Sequence, residues 1–286
     1  MLLRTLLFVP GDRPERFDKA EGSGADAIIL DLEDAVVASN KARARALIAD
    51  YLSKPRRIAV LVRVNPLDSG MTADDLKAVL PGNPDGIVLP KAEGADSVRT
   101  LVTLMGKDSA IPILPIATET PAAVFQLGSY ASVADRLIGI TWGAEDLPSA
   151  IGAATSREED GSYTSPYEMV RALTLFGAHA AGVPAIETVY PDFRDTDGLS
   201  RYAARGRRDG FTGMMAIHPK QIDGIDAAFR ASEAELSHAR AVVAAFAANP
   251  EAGAVQLNGK MLDAPHLKQA RLILEHSAMD NQNASD

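Results

Sequence analysis

The chain has 286 residues, of which 47% are hydrophobic and 23% charged, with a formal net charge of −9 and no cysteine. That length holds one large core, and the acidic balance argues against nucleic acid as the main partner, although a small anionic substrate needs only a local basic pocket. Disulfides, thiolate metal sites and a cysteine nucleophile are excluded, which fits a cytoplasmic protein.

The first run, LLRTLLFVP, is too short for a signal-peptide core or a membrane span and reads as a strand ending near Val9, with no membrane partner implied. A helix over 14–23 follows. AIILDLED gives a strand over 27–32 whose unbroken apolar run suits burial on both faces. Asn40 is a plausible N-cap for a helix to Leu52. IAVLVRVN predicts a strand over 58–64, and a short helix over 72–80 stops at Pro81-Gly82. GIVLPK (86–89) and ILPIATE (113–117) are the next strands, separated by a helix over 95–105. Pro121 opens another helix. LIGITWGAED supplies a strand over 137–141, with Trp142 expected at the rim. The polar stretch 155–166 is long enough to be a functional loop. A helix over 167–181, the strand of PAIETVYPD (185–189), a helix over 195–208 and the strand of TGMMAIHP (213–217) complete eight strand–helix alternations. That rhythm predicts an α/β fold, a (β/α)8 TIM barrel over 1–230. Residues 231–286 form a C-terminal helical extension, with helices over 233–248 and 265–277, a hairpin at Asn258-Gly259 and a fraying tail over 281–286.

Barrels of this kind do their chemistry where strands end. The charged residues there are Glu33, Asp34, Arg63, Lys91, Glu119, Glu145, Asp146 and Asp192. Glu119 and Asp146 follow neighbouring strands and so converge on one opening. Oxygen ligands select magnesium, manganese or calcium over zinc; the competing reading is that each acid caps a helix. Arg63, inside an apolar strand, should face an anion, either a substrate carboxylate or enolate oxygen or an internal partner at Glu33 or Asp34. Asp31, Glu33 and Asp34 need cations nearby, with Lys91, Arg13 and Lys19 available; Asp31 is read as a supporting residue. Lys91 could form a Schiff base, but a counter-ion to the acidic mouth is preferred. Arg13, Arg16 and Lys19 could hold phosphates or be solvated. His218, before a proline, reads as structural, and Arg201, Arg205, Arg207 and Arg208 as a solvated helix face. Asp263 by itself reads as a cap for the last helix.

The segments FVPGDRPERFDKA, ILDLEDAV, VRVNP, LPKAE, ATETP, GAEDL, AIHPKQI and GKMLDAPHLKQA resemble the HpcH/HpaI aldolase/citrate lyase family, in particular its citrate lyase β-subunit-like branch, which includes malyl-CoA and citramalyl-CoA lyases. The resemblance implies magnesium on Glu119 and Asp146, with manganese an alternative, and substrate contact by Arg63 and Glu119. It implies a CoA thioester substrate with Arg13 and Lys19 toward its arm, and a catalytic set of Arg63, Asp263 and Glu33. It further implies a trimer or larger homo-oligomer in which the C-terminal extension caps a neighbouring subunit and Asp263 acts there as acid/base. The reaction implied is cleavage of a 3-hydroxy-3-carboxyacyl thioester to a 2-oxo acid and an acyl-CoA. Alternatives are a citrate lyase β-subunit acting on a citryl thioester, a malyl-CoA thioesterase, and a Schiff-base aldolase using Lys91. The tryptophan ahead of GAEDL and the loop TSREEDGSYTSP depart from the family pattern.

Overall fold

Each apolar run becomes a short strand that pairs in parallel with its neighbours. The computed structural model describes residues 3–283, in two units, residues 3–228 and residues 229–283. In the first, the strands are β1 (Thr5–Pro10), β2 (Ala27–Asp31), β3 (Ala59–Arg63), β4 (Gly86–Leu89), β5 (Ile113–Pro115), β6 (Ile140–Thr141), β7 (Ala185–Glu187) and β8 (Gly213–Ala216). Their order is β5-β4-β3-β2-β1-β8-β7-β6. Bridges from Ile113 to Leu137 and from Ile116 to Thr141 join β5 to β6 and close the ring. This is a (β/α)8 barrel.

The surrounding helices are α1 (Phe17–Glu21), α2 (Lys41–Leu52), α3 (Thr72–Val79), α4 (Ala95–Met105), α5 (Pro121–Val124), α6 (Asp146–Ile151), α7 (Ser165–Ala181), α8 (Thr196–Asp209) and α9 (Ile222–Phe229). The interior packs Leu6, Ala27, Ile29, Leu61, Val88, Leu114, Ile116, Ile186 and Met215. These occupy alternate strand positions, so the two-residue period decides what reaches the mouth. Continuing inward parity from Ala27 and Ile29 delivers Asp31; continuing it from Leu61 delivers Arg63. Those two are register partners across β2 and β3.

One local expectation gives way. Asn40 does not cap α2 with its side chain; a 3-10 turn, Ala38–Asn40, leads into the helix and the Asn40 amide donates to Asp12 instead (2.8 Å). Helix α6 starts at Asp146, where the capping reading supposed a helix, and Trp142, expected at the rim, is buried directly after β6. The polar loop is pinned by an antiparallel bridge between Arg157 and Tyr163.

The second unit contains α10 (Glu233–Ala247), the hairpin β9 (Ala254–Leu257) and β10 (Lys260–Asp263), and α11 (Ala264–Asn283). Asn258 at φ 51 and Gly259 at φ 78 turn the hairpin, as a two-residue loop with both angles positive requires. Its core is Ala239, Val242, Val255, Leu262 and Ala270. Of the tail expected to fray, residues 281–283 continue α11 and residues 284–286 lie outside the described ones. No helix among the described residues is long and apolar enough to cross a membrane.

Candidate active site

Arg63 is fixed before any ligand arrives. Its Nε and Nη2 donate to the two oxygens of Asp31, each at 2.7 Å, and its Nη1 lies 2.8 Å from Glu33 Oε2. The Phe8 ring lies under the guanidinium at 4.8 Å. Asp31 also accepts the N–H groups of Glu33 (2.8 Å) and Ala35 (3.0 Å), which ties the loop after β2 to the strand end. The internal pair expected with Glu33 or Asp34 therefore exists, but its main partner is Asp31. A planar fork matched to a carboxylate holds one orientation, and Asp31 takes two of the five donors.

Glu33 stands next. Its Oε1 accepts Lys91 Nζ at 2.7 Å, while its buried Oε2 receives no hydrogen bond among the described residues despite its closeness to Arg63. Burial raises its pKa, against the pull of Arg63 and Lys91. Lys91 also lies 3.8 Å from Asp146 Oδ2. Burial acts to deprotonate its amine, but the hydrogen bond and charge of Glu33, with Asp146 and Glu119, prevail and raise its pKa. Lys91 is thus a counter-ion to the acids, as the sequence favoured, and not a free amine.

Lys91 has a second use. At φ 50 its backbone is in the left-handed region that non-glycine residues seldom adopt. There its N–H donates to Glu119 Oε2 at 2.6 Å. Glu119 does not cap α5, because the neighbouring Thr120 does, accepting from the Ala123 N–H. Asp146 opens α6 without a capping hydrogen bond from its side chain. Both carboxyl groups instead gather on Lys91, Glu119 at its backbone N–H and Asp146 at 3.8 Å from its ammonium. Burial, with Glu33 and Asp146 close by, pushes the Glu119 carboxyl up to about 8, against the pull of the Lys91 N–H. Gly143 makes this possible, since a Cβ there would lie 2.5 Å from Glu119 Cγ.

A buried carboxyl group held protonated beside other acids is what a divalent cation relieves. No group of three or more His, Cys, Asp or Glu side chains able to hold a metal occurs among the described residues. A pair of carboxylates, with water and substrate in the remaining positions, fits magnesium better than an ion that demands a full protein cage.

A cavity of about 760 Å³ adjoins this cluster, lined by Arg63, Asp31, Asp34, Arg16, Lys19 and His218 among others. Lys19 is therefore brought to the opening. Arg13 is not among the lining residues; its exposed guanidinium lies 3.8 Å from Asp12, and Arg16 stands in the lining instead. His218 is structural, its ring accepting the Lys220 N–H and stacking on Phe193 at 4.4 Å. Glu145 lies 4.0 Å from Arg157, and Asp192 caps its own turn through the Arg194 N–H. Arg205 is not simply solvated but paired with Glu168. Asp263, in the second unit, is exposed and its Oδ1 lies 2.5 Å from His266 Nδ1.

Lys41 escaped the sequence reading. Its buried ammonium donates to the carbonyls of Leu32 (2.6 Å) and Glu33 (2.8 Å), so it braces the backbone that presents Glu33. The only hint was a lysine nine residues past a strand that ends on acids. Lys41→Met keeps the stem and removes both charge-assisted bonds, each worth about 1.5–3 kcal/mol. Thermal denaturation should show a loss of about 2–4 kcal/mol, or roughly 5–10 °C. A shift inside about 1 °C would show that the brace is dispensable.

Comparison with known proteins adds to this geometry. The sequence pattern described as HpcH/HpaI aldolase/citrate lyase matches residues 4–219. The chain is 35% identical to the citrate lyase subunit beta of Escherichia coli (strain K12) over 287 residues, covering 96% of this chain and 93% of the relative. It is 34% identical over 277 residues to a (3S)-malyl-CoA thioesterase of Cereibacter sphaeroides (strain ATCC 17025 / ATH 2.4.3), covering 95% of this chain and 93% of that one. The crystal structure of CitE from Mycobacterium tuberculosis in complex with magnesium, acetoacetate and coenzyme A superposes with a TM-score of 0.82 at 34% identity, over 97% of this chain and 98% of that one.

Proposed function

This chain belongs to the HpcH/HpaI aldolase/citrate lyase family and is an enzyme of it, and from that premise we propose that it is a magnesium-dependent carbon–carbon lyase. The proposed substrate is a 3-hydroxy-3-carboxyacyl-CoA of the malyl or citramalyl type, cleaved to a 2-oxo acid and an acyl-CoA. The observation that carries this reading is the gathering of Glu119 and Asp146 about Lys91, with Gly143 backing Glu119 and Arg63 at the end of the adjacent strand. The magnesium and coenzyme A bound to the CitE relative support the same choice of metal and thioester.

Glu119 and Asp146 hold the metal in this proposal. Bound there, magnesium supplies Lewis-acid polarisation of the substrate's carboxylate and hydroxyl oxygens. Glu33, whose buried Oε2 lies beside Arg63 yet receives no hydrogen bond among the described residues, takes the hydroxyl proton. The carbon–carbon electron pair then moves into the thioester carbonyl as an enolate. Arg63, already immobilised, meets that oxygen with donors that Asp31 leaves free, so little reorganisation accompanies the charge. Asp263 of a second copy returns a proton to the enolate carbon, an assignment that rests on the resemblance of its segment. Lys19 and Arg16 lie toward the CoA arm.

A panel of malyl-, methylmalyl-, citramalyl- and citryl-CoA, assayed with magnesium and after EDTA, tests the proposal through its products. Glyoxylate or pyruvate with the matching acyl-CoA is the expected outcome. Free CoA with intact hydroxy acid would identify a thioesterase, as the Cereibacter relative is described. Turnover that survives EDTA and traps with borohydride would return the Schiff-base alternative at Lys91.

Magnesium affinity should depend on pH with a definite sign. In the metal-free chain Glu119 titrates at about 8, so below that pH the metal must displace a proton. Its apparent Kd should rise by up to about tenfold per pH unit on going from pH 8 to 6, and level off above 8. The metal-free fold, which prefers the protonated carboxyl, should lose stability as pH climbs through the same range. Titration calorimetry across that range reads the first effect. An affinity flat below about pH 8 would contradict it.

A further inference from the structure

Glu187 ends β7 and is wholly buried, yet it lies outside the cluster described above. Inward parity places Ile186 in the barrel interior, so Glu187 points out toward the helices. Its Oε1 accepts Trp142 Nε1 (2.6 Å), Tyr202 Oη (2.8 Å) and the Thr188 N–H (3.0 Å), and its Oε2 accepts Arg171 Nε (2.7 Å). A buried ion pair returns little net stability, because desolvation offsets the attraction. The gain from so many converging donors lies in geometry.

What they fix is the chain just after β6. Trp142 is anchored to Glu187 on the helix side. The next residue is held from the other side, where the Gly143 N–H donates to Thr118 Oγ1 (3.2 Å) and Thr118 Oγ1 donates to the Gly143 carbonyl (3.3 Å). Gly143 is the wall behind Glu119, with no room for a Cβ. Asp146 follows three residues later. A movement of the Trp142–Gly143 segment therefore changes both the backing of Glu119 and the starting point of Asp146.

We propose that Glu187, acting through Trp142 and opposed by Thr118, is a positioning clamp that sets the spacing of Glu119 and Asp146 for a divalent cation. The proposal rests on the metal reading of that pair given above. It accounts for the tryptophan ahead of the GAEDL segment, which is the chain's only one. The indole supplies both a large buried ring and the one N–H that reaches across to β7.

Three conservative variants test it by magnesium calorimetry alongside thermal unfolding. Trp142→Phe keeps a ring and leaves Glu187 three donors. Thr118→Val removes the opposing hydroxyl while keeping shape. Tyr202→Phe deletes a donor to the same Glu187 oxygen without touching the segment after β6. The expected result is a magnesium affinity about 10–100-fold weaker for Trp142→Phe and for Thr118→Val, as for other residues that orient metal ligands, and within about twofold of the parent for Tyr202→Phe. A fall in melting temperature common to all three does not bear on the clamp; the affinity split is what a merely structural role would not produce. Equal affinity in all three, or equal weakening by Tyr202→Phe, overturns the clamp. A parent chain that takes up no magnesium overturns the metal reading itself, and that outcome is seen before any variant is compared.

Discussion

Glu119→Gln should abolish detectable magnesium binding and lower turnover by about 10³-fold or more, because the metal's contribution to charge stabilisation is several kcal/mol. The substitution is chosen so that little else changes. Glutamine fills the same space against Gly143, and its amide oxygen can still accept the Lys91 N–H. It also mimics the neutral acid, which is the form that the buried site prefers without metal up to about pH 8. The variant's melting temperature relative to the metal-free parent should therefore rise as pH climbs from about 6 to 8 and level off above about 8. Loss of metal with retained stability separates a ligand from a scaffold residue. A variant that keeps parental magnesium affinity would place the cation elsewhere and remove the basis of the proposed reaction.

The barrel was legible because its signals are local. Each strand is an apolar run, each connection carries a proline, glycine or helical pattern, and Asn258-Gly259 states its own turn. The mouth was legible in part, since a strand's last residue belongs there whatever its partners. What the sequence withheld is pairing across distance. Whether Arg63 waits for substrate or clasps Asp31 depends on a register that joins residues 32 apart in the chain. The contact between Lys91 and Glu33 spans 58 residues. No local pattern announces either. Gly143 carried no signal of its own, and its lack of a side chain matters only because Glu119 occupies the space. Glu187 was read as part of an apolar strand, although a charged residue at a strand end on the helix side needs a partner as much as Arg63 does; the arginine in α7 was the available clue.

Arg63→Ala has two effects that must be measured apart. As a donor to the enolate oxygen, Arg63 is asked to supply a transition-state contact whose loss costs about 10²–10³ in kcat/KM. As the partner of Asp31 and Glu33, both nearly inaccessible to solvent, it also neutralises two buried carboxylates. Removing one member of such a network costs about 3–5 kcal/mol. Without the pull of Arg63, Glu33 should titrate higher, so the variant's stability deficit should grow as pH rises and shrink toward acid. Assays are therefore made at a pH where the variant is verified as folded. Arg63→Lys provides the control. Its ammonium restores charge to the buried acids but lacks the planar fork, so stability should recover more than kcat/KM does. A kcat/KM loss under about tenfold in folded Arg63→Ala would leave Arg63 with a structural role alone. Coexpression with Asp263→Asn extends the test to the partner subunit. If Asp263 acts in trans, a mixed oligomer contains sites with an intact Arg63 and a neighbour's intact Asp263, and activity should return above that of either variant. If no activity returns although the mixed oligomer forms, Asp263 does not complete a neighbour's site.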